Sequence, residues 1–249
     1  MSNRDLAIVT GTSRGIGHAV ALALLERGFD VVGVSRAAPD GLEHPQYRHF
    51  DCDLNDPAAV HRTFDARIPA ERPLAGRTRI GLVNNAGILD LESVAVAKLE
   101  HLEASFRVNV AVPIFLHGWL CRHAPLDAKL RIVDVSSGAA DNPYPGWVAY
   151  CASKAALEMA GRVLAAELDE VPVMKGRDLA LVSYAPGVVA TAMQEQIRAA
   201  DAGQFPRRER FVRLHEEGEL VDPRGPAAEI AGFLAADGLP AFSRQRYGG

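Results

Sequence analysis

Short apolar runs recur along the chain at Leu6–Thr10, Val31–Val34, Tyr47–Phe50, Ile80–Val83, Leu130–Val135 and Asp178–Tyr184. Most are rich in Val, Ile and Leu and end at Gly, Ser, Asp or Asn, which predicts short strands buried on both faces. Between them the period changes to that of a helix. Ile16, Val20, Leu24 and Leu25 fall on one stripe that stops at Gly28. Pro57–Ile68, Leu99–Arg122, Tyr150–Leu168 and Pro226–Ala236 read as further helices, the second kinked at Pro113. Ala70–Arg77 reads as loop, and Leu89–Ala97 as loop or short helix. Ala192–Gly218 is polar except for Phe205, Phe211 and Leu214, and is expected to form a mobile helical lid over a pocket. The tail from Gly238 to Gly249 has no clear strand. Strand and helix alternate from Leu6 to Tyr184, which predicts an α/β fold: a doubly wound parallel sheet with helices on both faces, in one domain spanning 1–249.

Composition narrows the setting. The 249 residues are 48% hydrophobic and 23% charged, with a formal net charge of -4. That balance gives no sign of a nucleic-acid partner. The densest apolar run, Ala19–Leu25, is far short of a membrane span, and only Met1–Asp5 precede the first strand, so neither membrane insertion nor a signal peptide is expected. The three scattered cysteines, Cys52, Cys121 and Cys151, form no C-x-x-C. They point to a reduced cytoplasmic compartment and to no metal site.

The first strand leads into T-G-T-S-R-G-I-G, Thr10–Gly17, and then into a helix. This is the opening of a dinucleotide-binding unit. Gly11 permits the tight turn, Gly15 lets backbone approach a pyrophosphate, Gly17 lets the helix pack close, and the helix start offers N–H groups to phosphate. Ser13, Arg14 and Ile16 complete the loop. The second strand ends in Ser35-Arg36, with no carboxylate for the adenosine ribose. Arg36, helped by Arg14, suits a 2′-phosphate, which favours NADPH over NADH.

The remaining strand ends are also polar or glycine-rich. Asp53, with Leu54 beside it, ends the third strand and faces the cofactor, while Asn55 is read as the cap of the next helix. Asn84–Gly87 ends the fourth, with Asn84 either a sheet stabiliser or a residue under the cofactor ring. Asn109, a lone amide among Phe106–Leu116, is either a satisfied core residue or a holder of water. In a parallel sheet these ends share one edge, where cofactor and substrate would meet.

Tyr150 and Lys154 in Y-C-A-S-K lie about one helical turn apart. A neighbouring ammonium favours phenolate, so Lys154 is expected to lower the Tyr150 pKa and fit the phenol for proton transfer. Ser137, at the end of the fifth strand, could bind the same carbonyl oxygen.

Taken in order, Thr10–Gly17, Asp53, Asn84–Gly87, Asn109, Ser137, Tyr150, Lys154, Pro186-Gly187 and Thr191 resemble the short-chain dehydrogenase/reductase family. The resemblance implies a Rossmann fold and nicotinamide-dependent hydride transfer. It makes Tyr150 the acid/base and Ser137 its oxygen-orienting partner. It gives Lys154 to the ribose and to Tyr150, and Asn109 to a water in the proton relay. Asn85, Ala86, Gly87, Pro186, Gly187, Val189 and Thr191 would line the nicotinamide half. It also implies a homodimer or homotetramer through the Leu99–Arg122 and Tyr150–Leu168 helices. The stretch from Ser136 to Ala156 and Y-A-P-G-V-V-A-T-A-M-Q, Tyr184–Gln194, are similar to sepiapterin reductases and bacterial benzil reductases, which reduce vicinal carbonyls with NADPH. The tail A-F-S-R-Q-R-Y-G-G lacks the carboxylate with which sepiapterin reductases anchor a pterin. That shifts weight to a broader ketone or diketone reductase. Pro143, Tyr144, Trp147, Gly187, Met193 and Gln194 are the candidate substrate wall, with Tyr144 and Trp147 equally suited to packing their loop. An NAD(P)-linked alcohol dehydrogenase and a non-catalytic cofactor-binding scaffold are the alternatives.

Overall fold

The structure is a computed structural model that describes residues 5–201 and 203–248. The two ends of the 1–249 assignment and Ala202 in the expected lid lie outside the described residues. Seven strands form one parallel sheet in the order β3-β2-β1-β4-β5-β6-β7. They are β1 (Leu6–Thr10), β2 (Asp30–Ser35), β3 (Tyr47–Asp51), β4 (Arg79–Asn84), β5 (Lys129–Val135), β6 (Leu179–Ala185) and β7 (Phe242–Arg246).

The sheet is covered on both sides, which is why its central strands are almost wholly apolar. Alternate residues face opposite layers. Ala7, Val9, Val31, Val83 and Val133 meet the side chains of α1 (Gly15–Glu26) and α9 (Arg224–Ala235). Leu6, Ile8, Leu82, Leu130 and Ile132 meet a larger cluster that includes Val60, Val108, Trp119 and Leu164. Those come from α2 (Pro57–His61), a π-helical turn at Arg107–Ala111, α5 (Val112–His123) and α6 (Val148–Glu170).

Several expectations need correction. The tail does hold a strand: β7 pairs with β6 from Leu181↔Phe242 to Ala185↔Arg246. Its residues are half-buried or exposed, as suits an edge, so it lacks the apolar run that marks the others. The expected Leu99–Arg122 helix is α4 (Leu99–Phe106), the π turn and α5. Pro113 lies in the first turn of α5, and the irregularity falls just before it. The proline ring has no N–H and crowds the carbonyl one turn back, at Asn109. Pro57–Ile68 is likewise interrupted by a π turn at Arg62–Arg67, and α3 (Ile68–Glu71) carries the helix into the expected loop. The 192–218 segment contains α7 (Ala192–Ala199) and α8 (Arg208–Glu216).

Candidate active site

From β1 the sheet runs one way through β2 and β3, and the other way through β4 to β7. Such a reversal opens a crevice at the carboxyl ends of the strands. A cavity of about 680 Å³ occupies it here. At its floor the loops after β1 and β4 are joined. Asn85 Nδ2 donates to the carbonyls of Thr10 (2.9 Å) and Gly11 (3.2 Å), and Thr10 Oγ1 accepts from the N–H groups of Asn85 and Ala86, each at 3.1 Å.

Gly11 and Gly15 have φ of 75° and 62°, the left-handed region that a side chain disfavours. At Gly17 the reason is space: a Cβ would lie 2.3 Å from the Gly11 carbonyl oxygen. The α1 start has no side-chain cap, so its first N–H groups are left for a ligand. A glycine cradle closed against an uncapped helix start fits a dinucleotide pyrophosphate.

At the outer end, Ser13, Arg14, Ile16, Ser35, Arg36, Asp53 and Leu54 line the cavity. Arg14 and Arg36 are exposed, and neither makes a hydrogen bond or ion pair among the described residues. Asp53 Oδ1 accepts from the Asn55 N–H at 2.9 Å. Asn55 is not the helix cap: Asp56 is, accepting from the Ala58 N–H at 2.9 Å.

At the inner end stand Ser137, Tyr150 and Lys154. Ser137 follows β5 and caps a single 3-10 turn, its Oγ accepting from the Ala139 N–H at 3.1 Å. Tyr150 lies in the first turn of α6, with Ser137 beside its phenol. Burial pushes the Tyr150 pKa up to about 12, against the smaller downward pull of the Ser137 hydroxyl. Burial also brings Lys154 down to about 8, opposed by the Asp134 carboxylate. The expectation of a phenol acidified by Lys154 is therefore reversed in direction. The ammonium donates to the Val135 carbonyl at 2.7 Å and stands 5.5 Å from the centre of the Tyr150 ring. Desolvation of the phenolate outweighs it.

Asn109 sits in the π turn and is buried. Its Oδ1 accepts from the Ile88 N–H at 2.9 Å, and its Nδ2 donates to the Ile88 carbonyl (2.9 Å) and Ser153 Oγ (3.1 Å). It thus clips the loop after Gly87 to α6. A Cβ on Gly87 would lie 3.3 Å from Asn109 Oδ1 and 3.8 Å from Lys154 Nζ, so the three groups are neighbours.

Above Tyr150 is an aromatic wall. Trp147 stacks on Tyr144 (4.7 Å between ring centres) and on Phe205 (5.0 Å), and meets Tyr150 edge-on at 5.8 Å. Tyr144 and Trp147 therefore both pack the loop and line the cavity, so the two readings hold together. Phe211 joins them from α8, and Arg207 fastens that region by donating to the Pro143 carbonyl at 3.1 Å.

A family model described as short chain dehydrogenase matches residues 5–202. The chain belongs to the short-chain dehydrogenase family. It is 35% identical over 237 residues to a benzil reductase ((S)-benzoin forming) of Bacillus subtilis (92% of this chain, 93% of the relative). It is 34% identical over 252 residues to a sepiapterin reductase of Xenopus laevis (93% and 91%). Among solved structures, the KRED1-Pglu enzyme superposes with a TM-score of 0.80 at 29% identity, covering 97% of this chain and 99% of its own.

In this short-chain dehydrogenase the cavity gathers nearly every residue singled out from the sequence. Gly17 and Asn109 stand behind it, packing the residues that line it, and Pro143 reaches it only through its loop. Pro186, Gly187, Val189, Thr191, Met193 and Gln194 line the β6 side. Sequence reasoning missed Leu89, Ile197, Phe211, Arg210 and Arg246 as lining residues. Phe211 stands out as an apolar point in a polar segment, a usable signal. Arg246 arrives on the unforeseen β7 and carried none.

Proposed function

We propose that this oxidoreductase is an NADPH-dependent carbonyl reductase acting on a ketone or vicinal dicarbonyl, with Tyr150 as proton donor. The observation that carries the reading is the Tyr150 phenol, buried, kept protonated and set beside Ser137 at the inner end of the cavity. The two uncommitted arginines at the outer end support the 2′-phosphate of NADPH over the bare ribose of NADH. The names of the benzil and sepiapterin reductase relatives support the substrate class.

The nicotinamide, when bound, supplies hydride to the carbonyl carbon. The Ser137 hydroxyl orients the carbonyl oxygen, and Tyr150 gives it a proton as negative charge develops. A phenol whose pKa is raised is protonated at neutral pH, the form that can donate. The Lys154 ammonium serves the cofactor ribose and moderates charge on the phenolate left behind. The Asn109 amide is already given to Ile88 and Ser153, so its part is to hold the loop after Gly87 against α6, beside Lys154. The α7–α8 region is the lid whose aromatic underside excludes solvent.

We further propose a homodimer or homotetramer. The exposed apolar side chains Leu99, Phe106, Ile114, Met159 and Val163 on α4, α5 and α6 support it. No helix among the described residues is long and apolar enough to cross a membrane, which is compatible with the cytoplasmic assignment.

The test is NADPH oxidation with benzil, sepiapterin and simple ketones, repeated with NADH. Turnover with a dicarbonyl and preference for NADPH are expected. No turnover on any carbonyl despite tight NADPH binding would replace the reading with a binding scaffold.

A further inference from the structure

Gln194 is a polar group of the cavity for which the mechanism above has no use. It lies on α7 and is 2% exposed, yet neither Nε2 nor Oε1 has a hydrogen-bond partner. A buried primary amide offers two donors and an acceptor, and leaving them unmet is unfavourable. A methionine of similar length, like its neighbour Met193, would fill the same space without that penalty. An orphaned amide beside a cavity is therefore a sign of a polar ligand group.

Its place on the helix shows where that group would be. Thr191, Gln194 and Ile197 succeed one another at three-residue spacing, which puts them on one face. Thr191 is against the glycine loop, its Cγ2 3.2 Å from where a Cβ on Gly15 would stand. Ile197 packs in the cluster that contains Trp147 and Tyr150. Gln194 comes between them, at the join of the cofactor end and the aromatic wall, and it lines the cavity.

One reacting carbonyl oxygen is served in full by Ser137 and Tyr150. We propose that Gln194 forms a subsite for a second oxygen, on the carbon next to the reacting carbonyl, and that through it the enzyme selects 1,2-dicarbonyl compounds over simple ketones. Nε2 donates to the second oxygen while the aromatic wall takes the flat substituent. A site built to hydrogen-bond an oxygen discriminates strongly against an analogue lacking it, because its polar groups are then left unpaired. The inference rests on the carbonyl-reductase reading.

The test compares Gln194→Met and Gln194→Leu with the unaltered enzyme on 1-phenyl-1,2-propanedione and on propiophenone, which lacks the second oxygen. A melting curve and NADPH affinity check the fold of each variant, and either variant that folds suffices. For Gln194→Met, kcat/KM for the diketone should fall about tenfold or more, while the value for propiophenone holds or rises, since no amide is then left unpaired, and the affinity for NADPH stays within about twofold. An equal loss on both carbonyls, or a loss confined to NADPH affinity, would overturn the subsite and assign the amide to structure or to the cofactor. Failure of the underlying reading looks different: the unaltered enzyme would reduce neither compound, and the subsite would fall with it.

Discussion

His117 donates from Nε2 to Asp134 Oδ1 at 3.0 Å, both side chains buried, on the face of the sheet that carries Lys154. Asn84 Nδ2 donates to the same oxygen at 2.8 Å. Asn84, Asp134 and Ser183 are register partners across β4, β5 and β6, so the apolar face of Leu82, Ile132 and Leu181 ends in one polar row. Asp134 precedes Val135, whose carbonyl accepts from Lys154. A buried ammonium with one neutral acceptor would lose its proton readily, and the Asp134 carboxylate opposes that loss.

Asp134→Asn should therefore lower the pH at which Lys154 titrates, by roughly one unit, the low end for a neighbouring opposite charge. The chain has four lysines, Lys98, Lys129, Lys154 and Lys175, of which Lys154 is the buried one. Carbon-13 NMR of lysine labelled at Cε resolves it. A Lys154 midpoint unchanged in a folded Asp134→Asn variant would dismiss Asp134 as its counter-charge.

The pH profile of reduction follows from the same groups. Tyr150, near 12, stays a donor throughout the neutral and mildly alkaline range. Lys154, near 8, is charged below that pH and neutral above it. The kcat for reduction should hold up to about pH 8 and decline beyond it, and the decline should begin at lower pH in Asp134→Asn. A single limb above pH 10, indifferent to Asp134→Asn, would count against Lys154.

The strands of the central sheet were legible because burial on both faces leaves an apolar run, and the glycine loop because it joins a strand to a helix. The sites of Ser137, Tyr150 and Lys154 followed from strand ends that must share an edge. Three things were hidden for physical reasons. β7 is an edge strand whose exposed side chains show no pattern. The pKa of Tyr150 depends on how dry the site is, and a spacing of Tyr and Lys says nothing about desolvation. The polar row of Asn84, Asp134 and His117 was likewise out of reach, since it depends on which helix covers which strand.

Arg14 and Arg36 should set cofactor choice. Replacing both with Ala removes two charge-assisted contacts to a 2′-phosphate, each worth roughly 1.5–3 kcal/mol. KM for NADPH should rise at least about tenfold with KM for NADH nearly unchanged. Parallel changes for both cofactors in steady-state kinetics would show that the two arginines do not read the phosphate.

Gly17→Ala should damage the fold and the cofactor site together. Its Cβ would meet the Gly11 carbonyl oxygen at 2.3 Å and Asn85 Nδ2 at 2.4 Å, and the first is backbone. Overpacking of this kind destabilises by about 1–3 kcal/mol, a fall in Tm of several degrees by calorimetry, with weaker NADPH binding. A variant with unaltered Tm would mean that α1 can withdraw from the loop at little cost.

The most direct test is Tyr150→Phe, followed by NADPH oxidation with benzil in rapid-mixing single turnover. The phenyl ring keeps the packing against Trp147 and loses only the hydroxyl. If Tyr150 is the proton donor, the reduction rate falls by about a hundredfold or more while the Kd for NADPH is retained. A variant that reduces benzil at close to the original rate would contradict the account at its centre.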